Sequence, residues 1–241
     1  MGIRDALNLR WYQNAIIKGK PMPFRRKKND TTTARWKKFI EPLVVNGSVF
    51  IDFGGNAGYC CRKMVDKGFI TYCVENDPAF VDCAEYWEEQ DPKGVNVINR
   101  SAISYDFPCA DIALMSYFTY WLTQEQLVDL EKKLREKVVN VIIVTRKKNH
   151  RDFLSSAKME FLIKIFHNWE ISKTLNGENP SIRLKNPNLE TLGIDKVWYD
   201  YRVNPGDYDE KLLKDITANG IKNYCVVVKM KGKTIFEGWK P

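Results

Sequence analysis

The stretch Val49-Phe50-Ile51-Asp52-Phe53-Gly54-Gly55-Asn56-Ala57-Gly58-Tyr59 decides the fold of this 241-residue chain. Its opening run is short, apolar and partly β-branched, which indicates a buried strand. The carboxylate Asp52 ends that run, and a glycine-rich turn follows before the next predicted helix. Glycines let a backbone turn sharply or approach a ligand, and the free N–H groups of a helix start can face that ligand. The stretch therefore predicts a nucleotide-type cofactor site at the edge of a parallel sheet.

The spacing of the glycines distinguishes between cofactors. A dinucleotide site uses Gly-x-Gly-x-x-Gly, which would need glycines at the positions of Asn56 and Tyr59. The pattern present is Asp-x-Gly-x-x-x-Gly, formed by Asp52, Gly54 and Gly58. An NAD- or nucleotide-dependent enzyme on the same fold is therefore the less favoured alternative.

A second predicted strand also ends in a carboxylate. Residues Ile70 to Glu75 form this strand, and Glu75 follows Asp52 by 23 positions. In nucleotide-binding βαβ units an acidic residue about 20 positions on contacts the ribose hydroxyls. The next helix is predicted to begin with Asp77 as its N-cap and Pro78 at its first position. A βαβ unit without a ligand is the alternative, but carboxylates at the ends of buried strands serve no packing purpose.

These motifs resemble those of the class I S-adenosylmethionine-dependent methyltransferases. The resemblance covers about residues 48–146, and Asn56 gives the Asp-x-Gly-x-Asn-x-Gly form found in several subfamilies. It implies an α/β fold, namely a doubly wound, mostly parallel seven-stranded Rossmann-like sheet with helices on both faces. In this chain an N-terminal helical extension is expected to precede that sheet.

Two narrower resemblances accompany this one. The segments Phe50–Gly58, Glu75–Pro78 and Ser101–Ile103 resemble the FkbM-type O-methyltransferases, and Trp11–Leu43 resembles the extension of tRNA wobble-uridine modifying enzymes. The chain lacks the Asn/Asp-Pro-Pro-Tyr motif typical of enzymes that methylate base amino groups, and Met115–Phe118 occupies that place. Methylation of an adenine or cytosine amino group is therefore disfavoured.

The family resemblance implies S-adenosylmethionine as the cofactor and assigns residues to it. Asp52 and the backbone of Gly54–Gly58 would hold the methionine end, Glu75 the ribose, and Asn99–Ala102 the adenine. The full predicted cofactor-binding set is Asp52, Phe53, Gly54, Gly55, Asn56, Gly58, Glu75, Asn76, Ser101, Ala102 and Ser116.

The acceptor side is predicted at the ends of the fourth and fifth strands. Methyl transfer needs a nucleophile held in line, exclusion of water and, for some acceptors, removal of a proton. The catalytic candidates are Ser116, Tyr117 and His150, the last as a general base because histidine side chains can change charge near neutral pH. A solvated loop histidine is the alternative for His150. The substrate-binding candidates are Arg25, Arg26, Tyr120 and Arg146.

Basic residues are concentrated ahead of the cofactor motif. Residues 1–48 contain 11 of the 38 Lys and Arg and three of the 30 Asp and Glu, so they carry the whole net charge of +8. The clusters Arg25–Lys28 and Arg35–Lys38 lie among aromatic residues, and such a surface can bind phosphates by charge and bases by stacking. A solvated basic arm is the alternative. The acceptor stays open, with RNA, DNA or another phosphate-bearing substrate as candidates.

Three segments are predicted along the chain. Residues 1–47 form the basic extension, with helices over 3–17 and from the Thr31–Thr33 cluster to Gly47. Residues 48–175 form the cofactor-binding core, and residues 176–241 complete the sheet or form a small appended α+β element. The further strands predicted in the core are Val95–Asn99, Cys109–Met115 and Val138–Thr145.

The C-terminal pattern is weaker. A helix is predicted over Phe153–Trp169, loops over 174–193, and strands over Val197–Val203 and Tyr224–Met230. These two strands are the predicted antiparallel pair that closes the sheet. Alternatively, the region from Leu212 onward resembles the opening of a ParB-like domain.

Composition excludes several other classes of protein. The six cysteines show no paired spacing and the chain has only two histidines, so neither a disulfide framework nor a metal site is predicted. No apolar run is long enough to span a membrane and no signal peptide is visible, so we expect a cytoplasmic protein without a membrane partner. The alternative to an enzyme is a non-catalytic Rossmann-like module that binds nucleic acid or protein.

Overall fold

A seven-stranded sheet forms the centre of the chain. The computed structural model describes residues 11, 13–22, 31–145, 162, 164–175, 181–189, 224–230 and 233–240. The strands of the sheet are β3 (Val49–Phe53), β4 (Ile70–Glu75), β5 (Asn96–Asn99), β6 (Ala110–Ser116), β7 (Val138–Val144), β8 (Glu170–Leu175) and β9 (Ser181–Lys185). Their order is β5-β4-β3-β6-β7-β9-β8, with β3 to β7 parallel and β8 and β9 antiparallel. The predicted sheet is confirmed.

Helices cover both faces of this sheet. They are α1 (Thr31–Arg35), α2 (Tyr59–Val65), α3 (Pro78–Gln90) and α4 (Gln124–Lys137). Alternate strand residues point to opposite faces, so Phe50 packs with α2 and α3 whereas Ile51 packs with α4. Strands β3 and β7 are buried along their whole length, as their nearly continuous apolar sequences predict. No helix in the described ranges is long and apolar enough to cross a membrane.

The N-terminal extension differs from the prediction. Instead of the end of a helix over 3–17, the structure shows a hairpin of β1 (Ile16–Ile17) and β2 (Lys20–Pro21). The two residues between these strands, Lys18 and Gly19, both have positive φ angles, which suits a tight hairpin turn. This turn signal outweighs the helical spacing of the apolar residues. Residues 1–10 lie outside the described part of the chain.

The second predicted helix is present but shorter. It begins at Thr31, continues from α1 into a π-helical turn over Trp36–Ile40, and ends with a 3-10 turn at Leu43, before Gly47. Trp36 and Leu43 are buried in the core, so these side chains dock the segment on the sheet. This helical segment packs on the same face of the sheet as α2 and α3.

The antiparallel pair that closes the sheet is not the predicted one. Strand β9 lies within residues 174–193, predicted as loops from their Asn, Gly and Pro content, and β8 begins just before that region. The side chains of β8 are mostly exposed and polar, so this edge strand has a weak apolar pattern. Tyr224–Met230 is indeed a strand, β10, but it pairs with β11 (Lys233–Lys240) in a separate two-stranded sheet. Val197–Val203 lies outside the described residues.

Candidate active site

A crevice is expected where the strand order of the sheet reverses. From β3 the chain builds outward to β4 and β5, and then returns to place β6 and β7 on the other side. In open α/β sheets, ligands bind outside the carboxyl ends of the strands at such a reversal. Asp52 near the end of β3 is in register with Leu114, so Ser116 at the end of β6 borders the same crevice. We name the side at β3, β4 and β5 the cofactor half, and the side at β6 and β7 the acceptor half.

The glycine-rich loop of the cofactor half turns tightly after β3. Gly54 and Gly58 have φ angles of 71° and 81°, and Asn56 between them has a φ of 57°. The N–H groups of Gly54 and Gly55 both donate to the Val74 carbonyl, at 2.8 and 3.2 Å. Left-handed backbone suits glycine and is tolerated by asparagine, which accounts for these residue types at these positions.

Two of the glycines are also required by packing inside the protein. A Cβ atom on Gly54 would lie 2.8 Å from Cδ2 of Phe118, and a Cβ on Gly55 would lie 2.6 Å from Sγ of Cys73. The sequence attributes the absence of side chains here to the approach of a ligand. The side chain of Phe118, which follows β6, fills the space beside Gly54 instead. At this glycine the loop of the cofactor half therefore packs against an aromatic side chain of the acceptor half.

Glu75 ties two loops together at the end of β4. Its side chain is buried, and Oε1 accepts hydrogen bonds from the N–H groups of Asn76 and Asp77 at 2.8 and 2.9 Å. Its Oε2 accepts a hydrogen bond from the N–H of Asn56 at 3.0 Å. An ionised carboxylate has about four acceptor positions, so three backbone donors leave capacity for one ligand hydroxyl. Asp77 also caps α3 through the N–H of Ala79, as predicted.

Asp52 is the second buried carboxyl group of the cofactor half. Only 2% of its surface is exposed. Burial, together with the negative charge of Glu75, raises the pKa of Asp52 to about 8, and the positive charge of Arg35 offsets part of that rise. A bound cation would favour the ionised form of Asp52, so binding of a positively charged ligand here would be coupled to loss of the Asp52 proton.

The predicted adenine segment borders the same edge. Arg100 donates its N–H to the Glu75 carbonyl at 3.0 Å, which brings the end of β5 next to the end of β4. Ser101 is half-buried and forms a turn with its hydroxyl near the N–H of Ile103, while Ala102 is buried. Asn76 is exposed. The structure thus places the predicted cofactor residues along one edge of the sheet, and their contacts with a cofactor stay a prediction.

The sequence missed two side chains that the N-terminal extension brings to this edge. The Gln13 amide donates to the Gly55 carbonyl at 3.1 Å and accepts from the N–H of Tyr59 at 2.9 Å, so it bridges the glycine-rich loop and the start of α2. Arg35 places its guanidinium carbon 4.1 Å from the centre of the Tyr117 ring. Arg35 belongs to the basic cluster Arg35–Lys38, but no local pattern places either residue at this edge, because their partners are distant in the sequence.

The acceptor half is built from hydroxyl and aromatic side chains. The Ser116 hydroxyl is buried and has no hydrogen-bond partner within the described part of the chain. Tyr117 follows with a φ of 58°, and its ring lies nearly parallel to that of Tyr120, with the ring centres 6.3 Å apart. Non-glycine residues with positive φ are uncommon and concentrate at functional sites.

Four predicted site residues cannot be placed beside these groups. Arg25, Arg26, Arg146 and His150 lie outside the described residues. Within the described ranges, no group of three or more His, Cys, Asp or Glu side chains is arranged to hold a metal ion. The described site therefore consists of two carboxyl groups, a glycine-rich loop and the aromatic side chains of Tyr117, Phe118 and Tyr120.

Comparison with known proteins relates this geometry to other sequences. No family model matches the chain. The probable ribosomal RNA small subunit methyltransferase A of Pyrobaculum islandicum is 31% identical over 112 residues, which are 46% of this chain and 45% of that protein. The match therefore spans less than half of the relative's length.

Solved structures share the architecture at low identity. A SAM-dependent methyltransferase from Aquifex aeolicus is 14% identical with a TM-score of 0.51, covering 64% of this chain and 93% of its own. The PH0226 protein from Pyrococcus horikoshii is 12% identical with a TM-score of 0.54, covering 66% and 92%. These similarities confirm the predicted class I methyltransferase fold. The narrower resemblances to FkbM-type and wobble-uridine enzymes stay predictions.

Proposed function

We propose that this chain, which has the fold of the class I methyltransferases, binds S-adenosylmethionine and transfers its methyl group to an acceptor. The observation that carries the proposal is the pair of buried carboxyl groups, Asp52 and Glu75, on either side of the glycine-rich loop at the strand-order reversal. In its ionised form Asp52 can oppose a positive charge, and Glu75 has capacity for a hydrogen bond from a ribose hydroxyl. Sequence motifs, fold and the methyltransferase relative all support this assignment.

The residues of the crevice have distinct proposed roles. When bound, S-adenosylmethionine supplies a methyl group already activated by its positive sulfonium. Asp52 opposes the positive charge of the methionine end, and Glu75 positions the ribose while holding the loop backbone. Phe118, which stacks on Phe53 with the ring centres 6.2 Å apart, helps to exclude water between the two halves. Ser116 and Tyr117 are the described candidates for contacting the acceptor, and His150 stays a predicted general base.

We further propose RNA as the acceptor. The relative from Pyrobaculum islandicum is named as a ribosomal RNA methyltransferase, and residues 1–48 of this chain hold the whole net positive charge. Two lysines of the π-helical turn, Lys37 and Lys38, are exposed and can meet phosphates. An RNA acceptor agrees with the cytoplasmic location expected from the sequence.

A labelled-methyl assay tests both parts of the proposal. The protein is incubated with methyl-labelled S-adenosylmethionine and with separate RNA, DNA, protein and small-molecule extracts. We expect label in the RNA fraction. Label in another fraction would support methyl transfer but contradict RNA as the acceptor. Binding of the cofactor without transfer to any fraction would favour the non-catalytic module.

A further inference from the structure

Trp121 is an exposed aromatic side chain beside the acceptor half. It is 82% exposed, whereas the tryptophans buried in the described core are Trp11, Trp36, Trp87 and Trp169. Tryptophan has a large, flat aromatic ring and a polar N–H, which makes it well suited to contacts at a surface that binds a partner. This side chain is therefore placed where a ligand can reach it.

The backbone that presents Trp121 is fixed on both sides. Trp121 ends a 3-10 turn over Thr119–Trp121 that closely follows β6, and its N–H donates to the Phe118 carbonyl at 3.0 Å. Two residues later, Thr123 and Gln126 form a capping box at the start of α4. A side chain held between a turn and a capped helix loses little backbone freedom when a ligand binds.

The surroundings of Trp121 indicate the kind of ligand. Thr123, Gln124 and Glu125, which follow closely along the chain, are exposed and polar, and Glu125 is negatively charged, so among the described residues Trp121 is not flanked by an exposed apolar run; a stacked base meets the ring through its flat face and not through its phosphate. One residue before it, Tyr120 lies nearly parallel to Tyr117, which Arg35 covers with its guanidinium. Aromatic rings combined with cationic side chains bind the flat faces of unpaired bases.

We infer that Trp121 is a stacking platform for an unpaired base of a single-stranded RNA segment, next to the nucleotide in the acceptor half. The inference rests on the proposed function and adds the form of its substrate. A duplex keeps both faces of its bases stacked, so it offers no free face to this side chain. A docked protein would instead need a wider apolar surface.

The test compares Trp121→Ala and Trp121→Phe in binding to a mixed-sequence RNA oligonucleotide, single-stranded and as a duplex. We expect Trp121→Ala to weaken single-stranded binding by about tenfold or more, while Trp121→Phe keeps most of the affinity. Duplex binding, cofactor affinity and thermal stability should stay at the wild-type values, because the side chain is exposed and outside the cofactor half.

Salt dependence separates stacking from charge. Stacking releases no counterions, so Trp121→Ala should lower affinity at every salt concentration without changing the slope, whereas a Lys37→Gln, Lys38→Gln double variant should flatten the slope. Equal single-strand affinities for wild type and Trp121→Ala, or equal losses for single strand and duplex, would overturn the inference. The RNA titration is carried out without cofactor, so its result does not depend on cofactor binding. Absence of cofactor binding by the wild type would therefore contradict the proposed function and not this inference about Trp121.

Discussion

The two halves of the crevice are built from different materials. In the cofactor half, backbone N–H groups converge on Glu75, and the buried Asp52 lies beside a loop whose turn is fixed by its glycines. In the acceptor half, the surface is made of side chains from the turn after β6, such as Tyr117, and of Arg35 from the N-terminal extension. The first half is formed by strand ends and a turn of the sheet, whereas the second is formed by side chains from a loop and from the N-terminal extension.

This difference explains why a cofactor site is easier to predict from a sequence than an acceptor site. A cofactor held by strand ends and a turn can be bound by any sequence that makes the same turn. An acceptor held by loop side chains depends on residues that carry no general code. The variants below test how much the two carboxyl groups, the glycine-rich loop and the N-terminal extension each contribute to the cofactor half.

Loss of Glu75 should have the largest effect. Glu75→Ala leaves three partly buried N–H groups without their charged acceptor, so we expect the free energy of unfolding to fall by about 4 kcal/mol and cofactor affinity to fall about 100-fold. Removal of a carboxylate that was open to solvent would instead leave the free energy of unfolding nearly unchanged. Chemical denaturation and calorimetry measure the two effects. Glu85→Ala, an exposed carboxylate of α3, is the matched control, and equal behaviour of both variants would contradict the role of Glu75.

Gly54 and Gly68 form a matched pair for the second test. Both have positive φ angles, but a Cβ on Gly68 meets no atom within 4 Å, whereas one on Gly54 meets Phe118. Gly54→Ala should therefore lower the free energy of unfolding by about 3 kcal/mol and Gly68→Ala by about 1 kcal/mol. Only the former should also weaken cofactor binding. If denaturation shows equal losses, Phe118 does not lock the two halves together.

The pH dependence of cofactor binding tests Asp52. Because its pKa is raised to about 8, the group is neutral below that pH and ionises as the pH rises. Affinity for a positively charged cofactor should then increase about tenfold per pH unit up to about pH 8 and level off above it. Calorimetry across this range measures the slope. Asp52→Asn should bind weakly and without that slope, and a variant that keeps the wild-type profile would remove Asp52 from the site.

The same raised pKa has a consequence for stability. The unfolded chain loses the Asp52 proton near the ordinary pKa of 3.8, whereas the folded chain keeps it up to a pKa of about 8. The stabilisation that comes from this difference is therefore fully present at low pH, below 3.8. It should be lost as the pH rises toward about 8, and Asp52→Asn should abolish that part of the decline. Denaturation midpoints of the two proteins against pH give the comparison.

Gln13 should give the smallest effect. Its amide joins Gly55 to Tyr59, so Gln13→Ala removes two hydrogen bonds that hold the loop. We expect a loss of about 1 kcal/mol in cofactor binding, which is about fivefold in affinity. The control is Lys18→Ala, which removes an exposed hydrogen bond from the same segment to Gln90 on α3. An unchanged affinity in Gln13→Ala would show that the cofactor half is independent of the N-terminal extension.

The sequence predicted the features with a local signal. Asp52 and Glu75 end apolar runs that any buried strand would show, and the glycine spacing between them selects the cofactor class. The contribution of Gln13 was not predictable in this way, because it depends on tertiary packing across 42 positions. The edge strand β8 was missed because exposed strands lack an apolar pattern, and the hairpin at Lys18 and Gly19 outweighed a helical periodicity.

Calorimetric titration with S-adenosylmethionine and, separately, NAD tests the central claim most directly, with wild type and Glu75→Gln measured side by side at about pH 8. We expect one S-adenosylmethionine to bind per wild-type chain, no heat with NAD, and an affinity in Glu75→Gln at least tenfold weaker. Glu75→Gln retains one oxygen acceptor, so its circular dichroism should match that of the wild type. Binding of NAD in place of S-adenosylmethionine, or equal affinity in the two proteins, would contradict the account.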